Sequence, residues 1–343
     1  MRTLLLTLLL TASPALAGDW GDLTPPDDVP VHLPPDYDPE NPAPLLVFLH
    51  GWAPISPIWY DVLVPIQDDA SAHGYIFAKP IGSQDIFGDY FWNATDACCD
   101  MFDANPPHVS YLLAVVQSIQ AHYNIDPRRI HLIGQSNGGF MCHRMACEAP
   151  ETFASVVSLS GALWNDPSMC QPSEPIHVLN IHGTLDPIIF WLGGYLLPNL
   201  NPYPGAETTA ARWAAHNGCA DTPTNLGTID FDLAVLFAET TRWSFDQCDE
   251  PAAGSIELWE TSLGSHFPII SSEGTEAIFN YLDTHTKPAE TCPADLTGDG
   301  LVDVLDLLDL LAFFGTAQGD IDGDGVAAVS DLLLLLAAWG PCT

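Results

Sequence analysis

The sequence predicts a large α/β domain built on a mostly parallel sheet, followed by a small all-α module at the C-terminus. Two observations carry this. Short apolar runs rich in β-branched residues alternate with segments of helical pattern, as in repeated βα units. After Thr286-Lys287-Pro288 the composition then shifts to Asp, Gly and Leu, with no further Lys or Arg. A length of 343 residues exceeds the usual size of one core and is short for two full domains. The expected division is therefore 1–17 as a leader, 18–287 as the α/β domain and 288–343 as the module.

The leader reads as a secretory signal peptide: one positive charge in Met1-Arg2-Thr3, an apolar run from Leu4 to Leu10, and small residues at Ala15-Leu16-Ala17. Export to an extracellular or cell-surface-attached location is expected, with a mature chain starting near Gly18. That run and the Leu-rich stretches near 304–314 and 332–338 are too short to span a bilayer. A formal net charge of −36, with only 8 Lys plus Arg, argues against nucleic acid or anionic membrane as a partner. Export permits disulfides among the nine cysteines. Connectivity does not follow from sequence alone, but Cys219 and Cys248 bracket one stretch late in the large domain, and Cys292 and Cys342 bracket the module. The odd count leaves at least one thiol free or paired between chains, with adjacent Cys98 and Cys99 the ambiguous place.

The core strands are expected at Leu45 to Leu49, Tyr75 to Ala78, Ile130 to Ile133, Ser155 to Leu159, His177 to Ile181 and Ile256 to Trp259. Helices are expected over Val109 to Tyr123, Gly139 to Glu148 and Glu273 to Leu282. Two irregular stretches, Gly82 to His108 and Pro187 to Gly205, are longer than ordinary connections, and long loops of this kind usually carry function. Both are rich in aromatics. Phe87, Trp92 and Trp191 are candidates to stack on a substrate ring, although aromatics in loops are as often packing.

Gly134-Gln135-Ser136-Asn137-Gly138-Gly139 lies between an expected strand and an expected helix. A lone G-x-S-x-G string is weak, but this context is the one that lifts a serine hydroxyl out of a tight strand-to-helix turn. The helix start aims free N–H groups at the place where negative charge would develop. Serine is a poor nucleophile at neutral pH, so a base and an orienting acid are required. Asp186, in His182-Gly183-Thr184-Leu185-Asp186-Pro187, follows one strand; His266, in Gly264-Ser265-His266, follows the last. Both sit at C-terminal strand ends, where sites in open α/β sheets gather. Backbone donors for an oxyanion are expected from Asn137 and from Trp52, just beyond Leu49-His50-Gly51.

These motifs, with Tyr123-Asn124-Ile125-Asp126-Pro127-Arg128-Arg129, resemble over roughly residues 29 to 283 the α/β-hydrolase esterases that include polyhydroxybutyrate depolymerases and feruloyl and acetylxylan esterases. The chain departs from that pattern at Pro107-His108-Val109 and at Trp52. Trp213-Ala214-Ala215-His216-Asn217-Gly218-Cys219 is similar to a segment of the same family and supports the Cys219–Cys248 pairing. The resemblance implies acyl transfer through an acyl-enzyme, with Ser136, Asp186 and His266 as the triad and no cofactor for catalysis. It implies as substrate feruloyl or acetyl esters on plant or algal polysaccharide, or an aliphatic polyester. A non-catalytic binding protein on the same fold is the reading from another class, and the presence of all three triad residues argues against it.

In the module, Asp295-Leu296-Thr297-Gly298-Asp299-Gly300 and, 25 positions on, Asp320-Ile321-Asp322-Gly323-Asp324-Gly325 repeat the start of a calcium loop. The ligand sets are Asp295, Thr297, Asp299, the Leu301 carbonyl, Asp303 and Asp306, then Asp320, Asp322, Asp324, the Val326 carbonyl and Asp331. Two structural Ca²⁺ sites are thus expected. Each loop runs into a Leu-rich helix that cannot bury its apolar face alone. The pair resembles a type I dockerin, which implies a cohesin-like scaffold or cell-surface partner.

Overall fold

A computed structural model describes residues 29–52, 66–250, 254–288 and 292–342. The leader lies outside them. The chain divides into two compact units, with the boundary in sequence between Lys287 and Pro288.

In chain order the strands are β1 (Val31–His32), β2 (Ala43–Leu49), β3 (Ile76–Ala78), β4 (Ser83–Gln84), β5 (Tyr90–Phe91), β6 (Ile125–Gln135), β7 (Ser155–Leu159), β8 (His177–Gly183), β9 (Gly193–Tyr195), β10 (Pro202–Pro204), β11 (Thr224–Ile229), β12 (Thr240–Phe245), β13 (Ile256–Thr261), β14 (Leu301–Val302) and β15 (Gly340–Pro341). The helices are α1 (Ile66–Ala72), α2 (His108–His122), α3 (Asn137–Glu148), α4 (Ala206–His216), α5 (Ser272–Thr284), α6 (Val304–Ala312) and α7 (Val329–Ala337).

Nine strands form the main sheet in the order β1-β3-β2-β6-β7-β8-β13-β12-β11. From β3 to β13 every pairing is parallel; the antiparallel pairs lie outside that run, β1 on β3 at one edge and β12 and β11 at the other. The six expected strands are the six parallel ones. Their apolar runs are continuous because helices cover both faces. In β2, Leu45, Val47 and Leu49 face the core shared with α2, α3 and α4, while Leu46 and Phe48 face the core shared with α1 and α5. That is the two-residue period of a strand sorting side chains to opposite faces.

Residues 292–342 hold α6 and α7 packed on each other, with a two-residue pairing of β14 and β15. Val302, Leu310, Ala327 and Leu335 form its small core.

Candidate active site

Strands β2, β6, β8 and β13 run in one direction, so their C-terminal ends share one edge of the sheet, and the backbone leaving each contributes to the site. After β6 the chain turns at Ser136 directly into α3. Ser136 has φ +56° and ψ −118°, a conformation that serine rarely adopts and that functional turns retain. The flanking glycines make the turn possible. A Cβ on Gly134 would stand 2.3 Å from the Gly138 carbonyl oxygen, and one on Gly138 2.0 Å from that of Leu49. The G-x-S-x-G spacing therefore serves close packing of the elbow on itself and on β2. The first helical bond of α3 runs from Phe140 N to Ser136 O at 3.0 Å, so the Asn137 N–H precedes the helical ladder at the positive end of the dipole.

Asp186 follows β8 and His266 follows β13, and the fold brings them together: His266 Nδ1 donates to Asp186 Oδ2 at 2.7 Å, both side chains being buried. The other carboxylate oxygen accepts the N–H groups of Ile188 at 2.8 Å and Ile189 at 2.9 Å. Burial raises the Asp186 pKa, but the hydrogen bond and charge of His266 and the Ile188 N–H outweigh it and hold the group below the usual carboxylate range. The loops carrying the pair are fastened to each other, Leu185 N to Gly264 O at 3.0 Å and Leu263 N to Thr184 Oγ1 at 2.9 Å. Gln135, the residue before the serine, donates Nε2 to the His266 carbonyl at 3.1 Å and so ties the elbow to the histidine.

A second histidine stands beside the acid. The buried His182 donates Nε2 to Ile189 O at 2.8 Å, and the same nitrogen lies 3.6 Å from Asp186 Oδ2. Burial lowers its pKa, against the opposing effects of the Ile189 bond and the Asp186 charge, and so favours the neutral ring. In the sequence His182 stands out only as part of the His182–Pro187 motif, and its place four residues before Asp186 is the signal for its role. His50, after β2, is similar: its Nδ1 donates to Gly51 O at 2.7 Å and its Nε2 accepts from Gly82 N at 3.0 Å. Burial depresses it to about 4, opposed in part by the Gly51 bond and helped to a smaller extent by the charge of Lys79. It fixes the backbone leading to Trp52, which is half-exposed at the end of the stretch 29–52.

The aromatic candidates separate. Trp92 is a correction: it is 0% exposed, donates its indole N–H to His50 O at 2.9 Å, and has no face to offer a substrate. Its backbone is clamped by the Asn137 side chain, which accepts from Trp92 N at 2.6 Å and donates to Trp92 O at 2.9 Å. Asn137 thus joins the long 82–108 loop to the start of α3. Phe87 is exposed and meets Phe102 edge-on at 5.5 Å. Trp191 is half-buried against the core and edge-on to His182 at 5.8 Å.

Disulfides join Cys219 to Cys248, Cys292 to Cys342, Cys147 to Cys170, and Cys98 to Cys99. The free thiol is the buried Cys142, not either of the adjacent pair. Its side chain sits under Gly134, where packing rather than pairing is served.

In the C-terminal unit the two loops share most of one bonding pattern. Asp295 accepts from Gly298 N and Gly300 N, and Asp320 from Gly323 N and Gly325 N, at 2.7 to 2.9 Å. Asp299 and Asp324 accept from Leu301 N and Val326 N. Asp306 and Asp331 are buried and hold the loop backbone at Thr297 and Asp303 and at Ile321, Asp322 and Ala328. Asp303 caps α6 through Leu305 N at 2.7 Å. Carboxylate oxygens of Asp320, Asp322 and Asp324 all lie within 4.8 Å of one another, a fit to a hard divalent cation.

A serine elbow, a buried His–Asp pair and a helix N-terminus on one sheet edge are the parts that a serine hydrolase of the α/β type would use. The chain belongs to the family described as "Putative esterase", whose model matches residues 25–224. Among curated relatives, a putative esterase NocK of Nocardia uniformis subsp. tsuyamanensis is 33% identical over 35% of this chain and 31% of its own. Feruloyl esterase B of Piromyces equi is 27% identical over 56% of this chain and 36% of its own, and feruloyl esterase C of Emericella nidulans 28% over 64% and 71%. The chain thus spans about a third of the length of the first two. An acetyl xylan esterase from Aspergillus awamori superposes with a TM-score of 0.53 at 14% identity, covering 75% of this chain and 93% of that one, which shows the α/β-hydrolase-like fold.

Proposed function

We propose that the protein is a secreted serine carboxylic-ester hydrolase that removes feruloyl or acetyl groups from polysaccharide. The observation that carries the catalytic part is the 2.7 Å His266–Asp186 bond tied through Gln135 to the Ser136 elbow. His266, held in one tautomer by Asp186, takes the Ser136 proton as its oxygen attacks the ester carbonyl. Backbone N–H groups of Asn137 and of the chain at Trp52 receive the oxyanion. The carbonyl re-forms, the C–O bond to the alcohol breaks, and the alcohol leaves with the proton from His266. Water, deprotonated by the same histidine, then frees the acid and restores Ser136.

Feruloyl or acetyl specificity is supported by the names of the similar proteins. An aliphatic polyester is the second reading, supported by the apolar, uncharged loops beside Asp186 and His266. In the C-terminal unit Asp295, Thr297, Asp299, Leu301, Asp303 and Asp306, with Asp320, Asp322, Asp324, Val326 and Asp331, would hold two Ca²⁺ ions, which stiffen the loops by neutralising their carboxylates. Exposed Leu305, Leu308, Leu333 and Trp339 suit a dockerin-like unit for a cohesin-type partner.

The test compares the mature protein with Ser136→Ala on a feruloylated arabinoxylan fragment, an acetylated xylan and a hydroxybutyrate oligomer. One substrate is expected to turn over, with kcat lower by on the order of 10⁴-fold or more in the variant. Equal rates for the two proteins would sink the mechanism.

A further inference from the structure

Between β11 and β12 the chain runs Leu233-Ala234-Val235-Leu236-Phe237-Ala238, six consecutive apolar residues. Leu236 is 79% and Phe237 86% exposed. In a chain of net charge −36, an uncharged run held in water is the opposite of what solubility selects, and such patches mark interaction surfaces.

The loop is built to stand out. Buried Glu239 at one end accepts Phe231 N at 3.1 Å, Asp232 N at 2.8 Å and Thr240 Oγ1 at 2.8 Å. Buried Asp232 at the other end accepts Ala234 N at 3.0 Å and Ile269 N at 2.9 Å. Both acids turn inward to hold backbone, and the apolar side chains between them face out.

Its position ties it to catalysis. Thr240 pairs with Thr261, so the loop emerges where β13 delivers His266, and Leu233 N donates to Ile269 O at 2.9 Å. The histidine loop exposes Leu263, Phe267 and Ile269, and the acid loop fastened to it exposes Leu185 and Ile188. Over 184–189, 231–240 and 262–271 the charged side chains Asp186, Asp232 and Glu239 are all buried.

We propose that Leu233–Ala238 is an adsorption element that seats the enzyme on uncharged, water-insoluble ester material, with the catalytic histidine at the inner edge of the contact. This rests on the esterase reading in its second, aliphatic-polyester form and adds to it the physical state of the substrate. Charge selects the occupant: a second copy, or an anionic lipid surface, is repelled by a chain at −36, whereas an uncharged apolar solid is not.

The experiment measures depletion of the full chain carrying Ser136→Ala onto aliphatic polyester particles, with and without Leu236→Ser and Phe237→Ser, so that adsorption is read apart from hydrolysis. Partition is expected to fall at least about tenfold in the double variant, from the apolar area lost. In the Ser136 background the same pair should leave hydrolysis of dissolved p-nitrophenyl acetate and the thermal midpoint unchanged. Unchanged partition overturns the proposal. So does a midpoint lowered by several degrees, which would show that the loop packs against the rest of the chain rather than standing in water. Binding to phosphatidylcholine vesicles but not polyester, or a wild-type dimer that the double variant splits, would assign the loop to lipid or to a second copy and overturn it as well. Failure of the wild type to cleave p-nitrophenyl acetate would sink the esterase reading alone and leave the adsorption result standing.

Discussion

Asp186 receives its hydrogen bonds on separate oxygens, His266 on one and two backbone N–H groups on the other, and this fixes the carboxylate plane against the imidazole. The Ile188 and Ile189 donors are themselves steadied by His182, which holds Ile189 O. His182→Ala should therefore lower kcat by up to about 10²-fold with KM nearly unchanged, because a small misplacement of the acid is felt in the transition state. His182→Gln, which keeps a donor, should recover part of the loss. An unchanged kcat in the alanine variant would show that the Ile188–Ile189 turn holds itself. The positions of Ser136, Asp186 and His266 just beyond strand ends were legible because the elbow motif and the apolar runs mark where those strands stop. The burial of Trp92 was not, since an aromatic in a loop carries the same letter whether it stacks on substrate or closes a core.

The elbow depends on how closely α3 approaches β2. Gly138→Ala would drive a Cβ into the Leu49 and His50 carbonyls, 2.0 and 2.7 Å away, and both are backbone atoms that cannot swing aside. The expected outcome is loss of esterase activity together with a lower thermal midpoint; wild-type values for both would mean that α3 can shift without losing the site. Among the strands, the six parallel ones were readable as apolar runs because both of their faces are covered. β11 is not readable in that way, for the converse reason. Thr224–Ile229 is largely exposed at the sheet edge, so its side chains need not be apolar and Thr, Asn and Gly fill it.

Across the molecule, His50, His108, His131 and His143 are neutral in the interior, with burial the first cause of values depressed to about 4, 3, 3 and 3. Unfolded, each titrates near ~6.5. Between those values the unfolded chain binds protons that the folded one refuses, so stability is complete above about 6.5 and falls as pH drops toward about 3. Denaturant midpoints should thus be lower at pH 5 than at pH 7.5; a flat profile would mean that these rings gain protons while folded. In the C-terminal unit, the mutual repulsion of Asp320, Asp322 and Asp324 predicts that chelation with EGTA loosens residues 288–343 to proteolysis while hydrolysis of a dissolved ester continues. Calorimetric titration with Ca²⁺ checks the same point, and the absence of any heat would remove the calcium reading.

The sequence alone determined what depends on local spacing: the parallel core strands, the glycines that make the serine turn, and the matched aspartate loops. Backbone geometry imposes these within a few residues, so they leave a local trace. The tertiary structure decided which side chains share an environment across long separations. It set His182 against Asp186, turned Trp92 under His50, left Cys142 unpaired, and sank Glu239 and Asp232 so that the apolar run between them stands in water. Burial and hydrogen-bond partnership are properties of packing, and no single stretch of chain encodes them.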